Sequence, residues 1–225
     1  MRRIFFVTFA LMILFAQICH AEPPRTMDRS TAKAKARQSF TLRSVEGAWY
    51  EVYIVGYDEV ILVDWQWGRD ETIYSADYFV YLGKDYSSAL ARQNVELFAE
   101  ARYGQHSQRI NVTRPNCDGL SKVTGVNNLP DLLVSKIQVT GGGHFAMKIF
   151  AVKNGRLQAV QILDDDKKFL HATFDTISTP VKYLDNGTLS IPWHTNVMPG
   201  AGSYETIYML DADNLILIPA YTNKL

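Results

Sequence analysis

The chain has 225 residues, 47% hydrophobic, 12% aromatic and 20% charged, with 23 basic and 23 acidic side chains. That length can bury the core of one domain, and an aromatic-rich, weakly charged composition excludes a disordered chain. Balanced charge removes the electrostatic case for nucleic acid as a partner and for a polybasic membrane surface.

The first segment reads as an export signal. Arg2 and Arg3 precede an apolar run from Ile4 to Ile18, of the length of a signal-peptide hydrophobic region. Cys19-His20-Ala21 places small residues where a signal peptidase reads, so cleavage is expected after Ala21, before Glu22. Ile18 stands where a lipobox needs a small residue, and the paired prolines Pro23-Pro24 break a continuing helix, so no stable membrane anchor is expected after cleavage. The expected organisation is a signal peptide over 1–21, a flexible N-terminal segment over 22–39, and a single β-rich domain over 40–225, delivered by general secretion to the periplasm or the exterior. Once Cys19 is removed, Cys117 is the one cysteine of the mature chain, which rules out an intramolecular disulfide.

Strand signals begin at Phe40. Ala48–Val55 is β-branched and aromatic, Gly56-Tyr57-Asp58-Glu59 offers a turn, and Val60–Trp67 alternates, so the pair is expected to form a hairpin. Thr72–Leu82 predicts one strand or two, punctuated by Gly83. In the next segment Leu90, Asn94, Leu97, Phe98 and Ala101 share a helical face, and Ser87 or Ser88 can cap it, so a helix is expected near 87–103.

After Pro130 the signal becomes regular, with strands over Leu132–Val139, Phe145–Val152, Leu157–Leu163, Phe169–Phe174, Val181–Leu184, Thr188–Trp193, Glu205–Leu210 and Leu215–Ala220. Their corners carry Asn154-Gly155, Asp164-Asp165-Asp166-Lys167, Asp185-Asn186-Gly187 and Asp211–Asn214. Asn-Gly is a strong hairpin signal, because both central residues of a type I′ turn need positive φ. The fold class expected is mainly β, an antiparallel meander of hairpins arranged as a sandwich or a partial, propeller-like assembly.

The run Val126-Asn127-Asn128-Leu129-Pro130-Asp131-Leu132-Leu133-Val134, followed by Gly141-Gly142-Gly143-His144-Phe145 and Phe150–Leu157, resembles a degenerate FG-GAP repeat of exported β-propeller proteins. The resemblance covers residues 126–160 and implies a strand–turn–strand unit. The alternating Asp/Asn calcium ligands of that family are missing here apart from Asn127, Asn128 and Asp131, so the geometry carries over and the calcium does not. The chain is also too short for a complete propeller.

Catalytic signatures are sparse. Gly-x-Ser-x-Gly and Ser-x-x-Lys in a strand–turn–helix setting are absent. Gly141-Gly142-Gly143 leads into a strand and not into the helix a phosphate loop opens. Asp164-Asp165-Asp166 reads as a solvated turn. No cofactor or metal is expected. The candidate binding residues are Trp65, Trp67, Trp193, His194, Asn196 and Met198: aromatic side chains that suit macromolecular contact, and a Gly/Pro-containing loop of the kind that carries recognition. The expected function is an exported, non-enzymatic protein that recognises another macromolecule, with a protein as partner, in the manner of an inhibitor or immunity protein. The alternatives are a hydrolase using a metal held by His144, His171 or His194 with Asp175, and a module binding peptidoglycan glycan through Trp65, Trp67 or Trp193.

Overall fold

A computed structural model describes residues 23–64, 71–97, 109–112, 119–138, 145–163, 170–171, 174–196 and 199–225. The expected signal peptide, Trp65, Trp67, Cys117, Gly141–His144, Asp164–Asp166 and Met198 lie outside the described residues. Within them the chain is mainly β, with antiparallel hairpins as expected from the sequence.

The segment expected to be a flexible lead-in carries regular structure. Strand β1 (Thr26–Asp28) runs into helix α1 (Arg29–Lys35), and β2 (Ala36–Arg43) follows directly. Asp28 caps the helix. Its carboxylate accepts from Thr31 N–H at 2.8 Å and from the Ser30 hydroxyl at 2.5 Å, and these bonds, the hydroxyl's first, hold its pKa down at about 2.

The first sheet contains β1, β2, β3 (Trp49–Asp64), β4 (Glu71–Lys84), β5 (Ala89–Arg92) and β6 (Arg109–Val112), in the order β1-β5-β4-β3-β2, with β6 also pairing β4. Two expectations are corrected here. Gly56–Glu59 is no turn: β3 runs straight through it and its hairpin partner is β4. The register moves three residues on β3 (Tyr57 to Val60) against two on β4 (Asp77 to Ser75), so the polar residues sit in a bulge. A second bulge at Arg37 faces it, and the Arg37 guanidinium grips both carboxylate oxygens of Glu59. The expected helix near 87–103 is likewise absent over 87–97, where Ala89–Arg92 is a strand; 98–103 lies outside the described residues. Pairing decides this. Leu90, 1% exposed, sits opposite Met27, and its side chain closes over Gly83 so tightly that a Cβ there would lie 2.4 Å from Leu90 Cδ2. The cross-strand contacts outweigh the weak helix preference of Ala, Gln and Arg.

The second sheet contains β7 (Leu120–Val123), β8 (Leu132–Gln138), β9 (Phe145–Lys153), β10 (Arg156–Leu163), β11 (Leu170–His171), β12 (Phe174–Thr176), β13 (Lys182–Tyr183), β14 (Leu189–Thr195), β15 (Gly202–Asp211) and β16 (Ile216–Lys224). Its order is β13-β14-β15-β16-β10-β9-β8-β7, with β11 on β10 and β12 on β9. Asn154 and Gly155 have φ of +50° and +69°, as the I′ turn requires. The sequence-level meander misses one pairing: β16 turns back to lie parallel to β10 through Gln161↔Ile216 and Ile162↔Leu217. Thr176 on β12 donates its hydroxyl to Pro192 O on β14 at 2.6 Å. The sheet thereby curls into a nearly closed barrel.

β9 explains how two cores share one strand. Met147, Ile149 and Ala151 face the barrel interior with Leu132, Val134, Val160, Leu189, Ile191 and Leu217. Phe150 and Val152 face the first sheet and meet Leu42, Val52, Ile54, Val80 and Leu82. A strand buried on both sides loses polar alternation, which is why Phe145–Val152 reads as a nearly unbroken apolar run. A third cluster under α1 packs Ala32 and Met27 on Tyr53, Val55, Tyr81 and Leu90.

The sheets are joined by a polar clamp. Asp131, 1% exposed, accepts from Gly125 N–H at 2.8 Å and from Arg43 N–H at 2.9 Å, and pairs with Lys122 Nζ at 2.7 Å. Asp131 N–H returns a bond to Arg43 O at 2.9 Å. Arg43 Nη2 donates to Leu129 O, Lys122 Nζ also donates to Thr41 O at 2.7 Å, and Tyr183 donates to Pro130 O at 3.3 Å. The one carboxylate left from the expected acidic loop is thus engaged by N–H donors and an ammonium group.

Asp131→Ala leaves Lys122 and two backbone N–H groups without their acceptor, so equilibrium urea unfolding should show a loss of about 3 kcal/mol. Burial, and then the Asp131 charge, raise the Tyr183 pKa above that of free tyrosine, and burial raises that of Tyr81. Both phenols stay protonated when folded while the unfolded chain ionises near pH 10, so stability should fall as pH climbs past about 10. Tyr183→Phe should flatten that fall in chemical denaturation curves.

Candidate recognition surface

The second sheet has two unlike ends. One end holds the clamp at Asp131 and packs against the first sheet. At the other, the described segments break off at Gln138, Leu163 and Asn196, and the chain returns at Phe145, Leu170 and Pro199. Pairing Gln138↔Phe145, Thr195↔Gly202 and Tyr204↔Lys224 aligns these termini at one rim. The loop-bearing segments singled out in the sequence therefore leave from the same side.

At this rim three strands build a cross-strand row. Leu189, Ile191 and Trp193 alternate on one face of β14; the first two enter the core, and Trp193 emerges half-buried beyond them. The register places Trp193 opposite Tyr204, and Tyr204 opposite Lys224. The Trp193 and Tyr204 rings stack with centroids 4.7 Å apart and planes at 17°, while Lys224 Nζ lies 5.9 Å from the other ring's centre, that of Tyr204. Trp193 Nε1–H donates to Thr206 Oγ1 at 2.9 Å, and the Thr206 and Thr222 hydroxyls share a 2.9 Å bond in the next row. A Cβ on Gly202 would meet Lys224 Cε at 3.1 Å, and Gly202 has φ of +151°, so this position favours glycine.

The opposite face of the hairpin carries His194. Its Nδ1 is 3.1 Å from Ser203 Oγ and its Nε2 is 2.9 Å from Asn196 Oδ1. Tyr204 also donates its hydroxyl to Gly200 O at 2.6 Å. The two ends of the β14–β15 connection are thus held from both faces of the sheet.

Of the residues expected to bind, Trp193, His194 and Asn196 come together here, and Trp65, Trp67 and Met198 lie outside the described residues. Tyr204, Ser203 and Lys224 were missed. Alternation along β15 and β16, counted outward from the Asp211–Asn214 turn, would set Tyr204 opposite Asn223; a bulge on β16 between Pro219 and Tyr221 shifts the register by one and sets it opposite Lys224. For the metal alternative, His171 is exposed on β11 opposite Ile162, while His194 bonds Ser203 and Asn196. Among the described residues no three His, Cys, Asp or Glu side chains cluster as a metal site. A groove of about 640 Å³ at the seam of the sheets is lined by Ala91–Asn94 and Gly155–Gln158, and Gln93 Oε1 crosses it to accept from Leu157 N–H at 3.0 Å.

No family model matches the chain, and no curated protein and no solved structure is significantly similar to it.

The stacked pair should be measurable by itself. In a double-mutant cycle of Trp193→Ala and Tyr204→Ala, read by urea unfolding, the coupling should be about 1 kcal/mol. Lys224→Ala should cost less, about 0.5 kcal/mol, because its cation–ring contact is exposed to water.

Proposed function

We propose that this protein is exported and binds another macromolecule, a protein, through the rim of its second sheet, with Trp193, Tyr204 and Lys224 as the anchors. The observation that carries the reading is the Trp193–Tyr204–Lys224 row. Aromatic side chains that are already stacked lose little entropy on binding and dominate the energetics of protein interfaces, and Lys224 adds a charge beside them. Asn196, held by His194, and Gly200, held by the Tyr204 hydroxyl, supply polar groups near them. The leader at residues 1–21 supports an extracytoplasmic setting, where an inhibitor or immunity role has its place.

The row also favours a protein partner over a glycan in this reading. Sugar rings dock on an open aromatic face. Tyr204 has Trp193 over one face and Lys224 over the other, and Trp193 has Tyr204 over one of its own. Besides the Trp193 face that Tyr204 leaves uncovered, the row offers ring edges and an ammonium group, which suit side chains and backbone carbonyls better than a pyranose.

The test uses the mature chain, immobilised, against an envelope extract, alongside a Trp193→Ala/Lys224→Glu double variant and isolated peptidoglycan. The expected result is a protein retained by the wild type and lost by the variant, with no retention on peptidoglycan. Retention on peptidoglycan that depends on Trp193 replaces this reading with the glycan one. Equal capture by wild type and variant removes the rim as the binding surface. N-terminal sequencing of the product from the envelope fraction should begin at Glu22; recovery in the cytosol with the leader attached defeats the export premise.

A further inference from the structure

Strand β16 has one fully paired edge and one that is paired only at its start. Its register with β15 runs from Ile216 to Lys224, whereas β10 meets it only through Ile216 and Leu217. Among the described residues no strand lies against that second edge beyond Leu217. The backbone there points outward. Leu225 N–H bonds Ser203 O at 2.9 Å. Antiparallel bonding alternates, so Asn223 faces β15, while Thr222 and Lys224 turn their N–H and C=O groups away from it. Pro219, which has no N–H to offer, and the bulge after it interrupt the edge next to β10. Past them, Ala220–Lys224 is exposed.

The two faces beside this edge differ. Thr222 and Lys224 share the inner face with Thr206 and Tyr204, which stand opposite them. Tyr221 and Leu225 alternate onto the outer face, which also carries Met209 of β15. Tyr221, Leu225 and Met209 are 54%, 67% and 51% exposed, and they stand outside the three core clusters. Apolar side chains left in water beside an unpaired strand edge form a template for one more strand.

We propose that the protein partner of the rim adds an extended segment to the second edge of β16, as a further strand beside Thr222 and Lys224. The inference rests on the binding reading above and names its mode. Thr222 and Lys224 exchange N–H and C=O bonds with that segment, and its side chains point alternately to the two faces. Those on the inner face come beside the Lys224 ammonium, so acidic residues fit there. Those on the outer face cover Tyr221 and Leu225, so apolar residues fit there. The class recognised is an extended peptide of alternating acidic and apolar residues.

The experiment pans a displayed library of random peptides, about ten residues long, on the mature protein. The selected sequences should alternate acidic and apolar residues. In amide hydrogen exchange read by NMR, Thr222 and Lys224 should slow about tenfold or more when a selected peptide binds, while Asn223, already turned to β15, should change little. Lys224→Glu should weaken binding about tenfold, and so should methylating every second peptide nitrogen in one of the two possible patterns. A library without such binders, unchanged exchange at Thr222 and Lys224, or tolerance of both methylation patterns overturns the proposal. So does a slowing of these amides with protein concentration alone, which assigns the edge to a second copy of the chain. The selected peptide should also displace the envelope protein retained by the rim. Retention that survives saturating peptide overturns the strand mode and leaves the rim reading standing. Peptide binding with no envelope protein retained removes the rim reading and leaves the edge as a peptide site. The wild-type protein supplies the exchange data, so a misfolded Lys224→Glu variant leaves the test intact.

Discussion

A buried carboxylate organises this molecule. Asp131 sits where β2 of the first sheet meets the turn that opens β8 of the second, and both of its oxygens are in use. Removing a carboxylate from water costs several kcal/mol unless donors replace the lost hydration. Two backbone N–H groups and the Lys122 ammonium do so here. Because those donors come from β2, from β7 and from the Gly125–Pro130 turn, the bonds form together only when the sheets are docked. The clamp therefore specifies one relative placement of the two apolar faces, which hydrophobic contact alone leaves free to slide.

That placement gives the barrel-like sheet one end committed to the clamp and one end from which chain connections leave. The committed end is closed by the first sheet and by the Asp131 network, while β9 serves both cores at once. The other rim gathers the chain connections of β8–β9, β10–β11 and β14–β15. Rigid strands under a set of loops form a common arrangement for recognition, since the scaffold bears the folding energy and the loops are spared it. Trp193 shows the transition within a single strand: Leu189 and Ile191 stabilise the core, and two residues later the same face offers an aromatic ring at the rim.

Alternation and turn chemistry made the second half of the chain legible. Asn154-Gly155, Asp185-Asn186-Gly187 and Asp211–Asn214 each mark a hairpin corner: Asn154, Gly155 and Gly187 supply positive φ, and the Asp211 carboxylate accepts from Asn214 N–H. The same rules misread the first half. Gly56–Glu59 has turn composition yet forms a bulge, since the Arg37–Glu59 pair and the uninterrupted β4 ladder hold the strand extended. Residues 87–97 have helical spacing, yet the segment from Ala89 is a strand, since Met27 and Gly83 receive Leu90 only in that conformation. Within the candidate site, Trp193, His194 and Asn196 were visible as a composition, but their neighbours Tyr204 and Lys224 were not, since these are 11 and 31 residues away along the chain.

The amino-acid sequence by itself determined that this is a mainly β protein, where most corners of its later hairpins fall, and that its first residues read as an export leader. Those features depend on neighbours along the chain, which local periodicity and φ preference reveal. Only the tertiary structure decided that β16 closes back on β10, that Asp131 bonds donors from both sheets, and that Trp193, Tyr204 and Lys224 form one row. Each of these depends on register between segments far apart in sequence. A one-residue slip would turn every side chain to the other face, and the packing of the whole sheet selects the register.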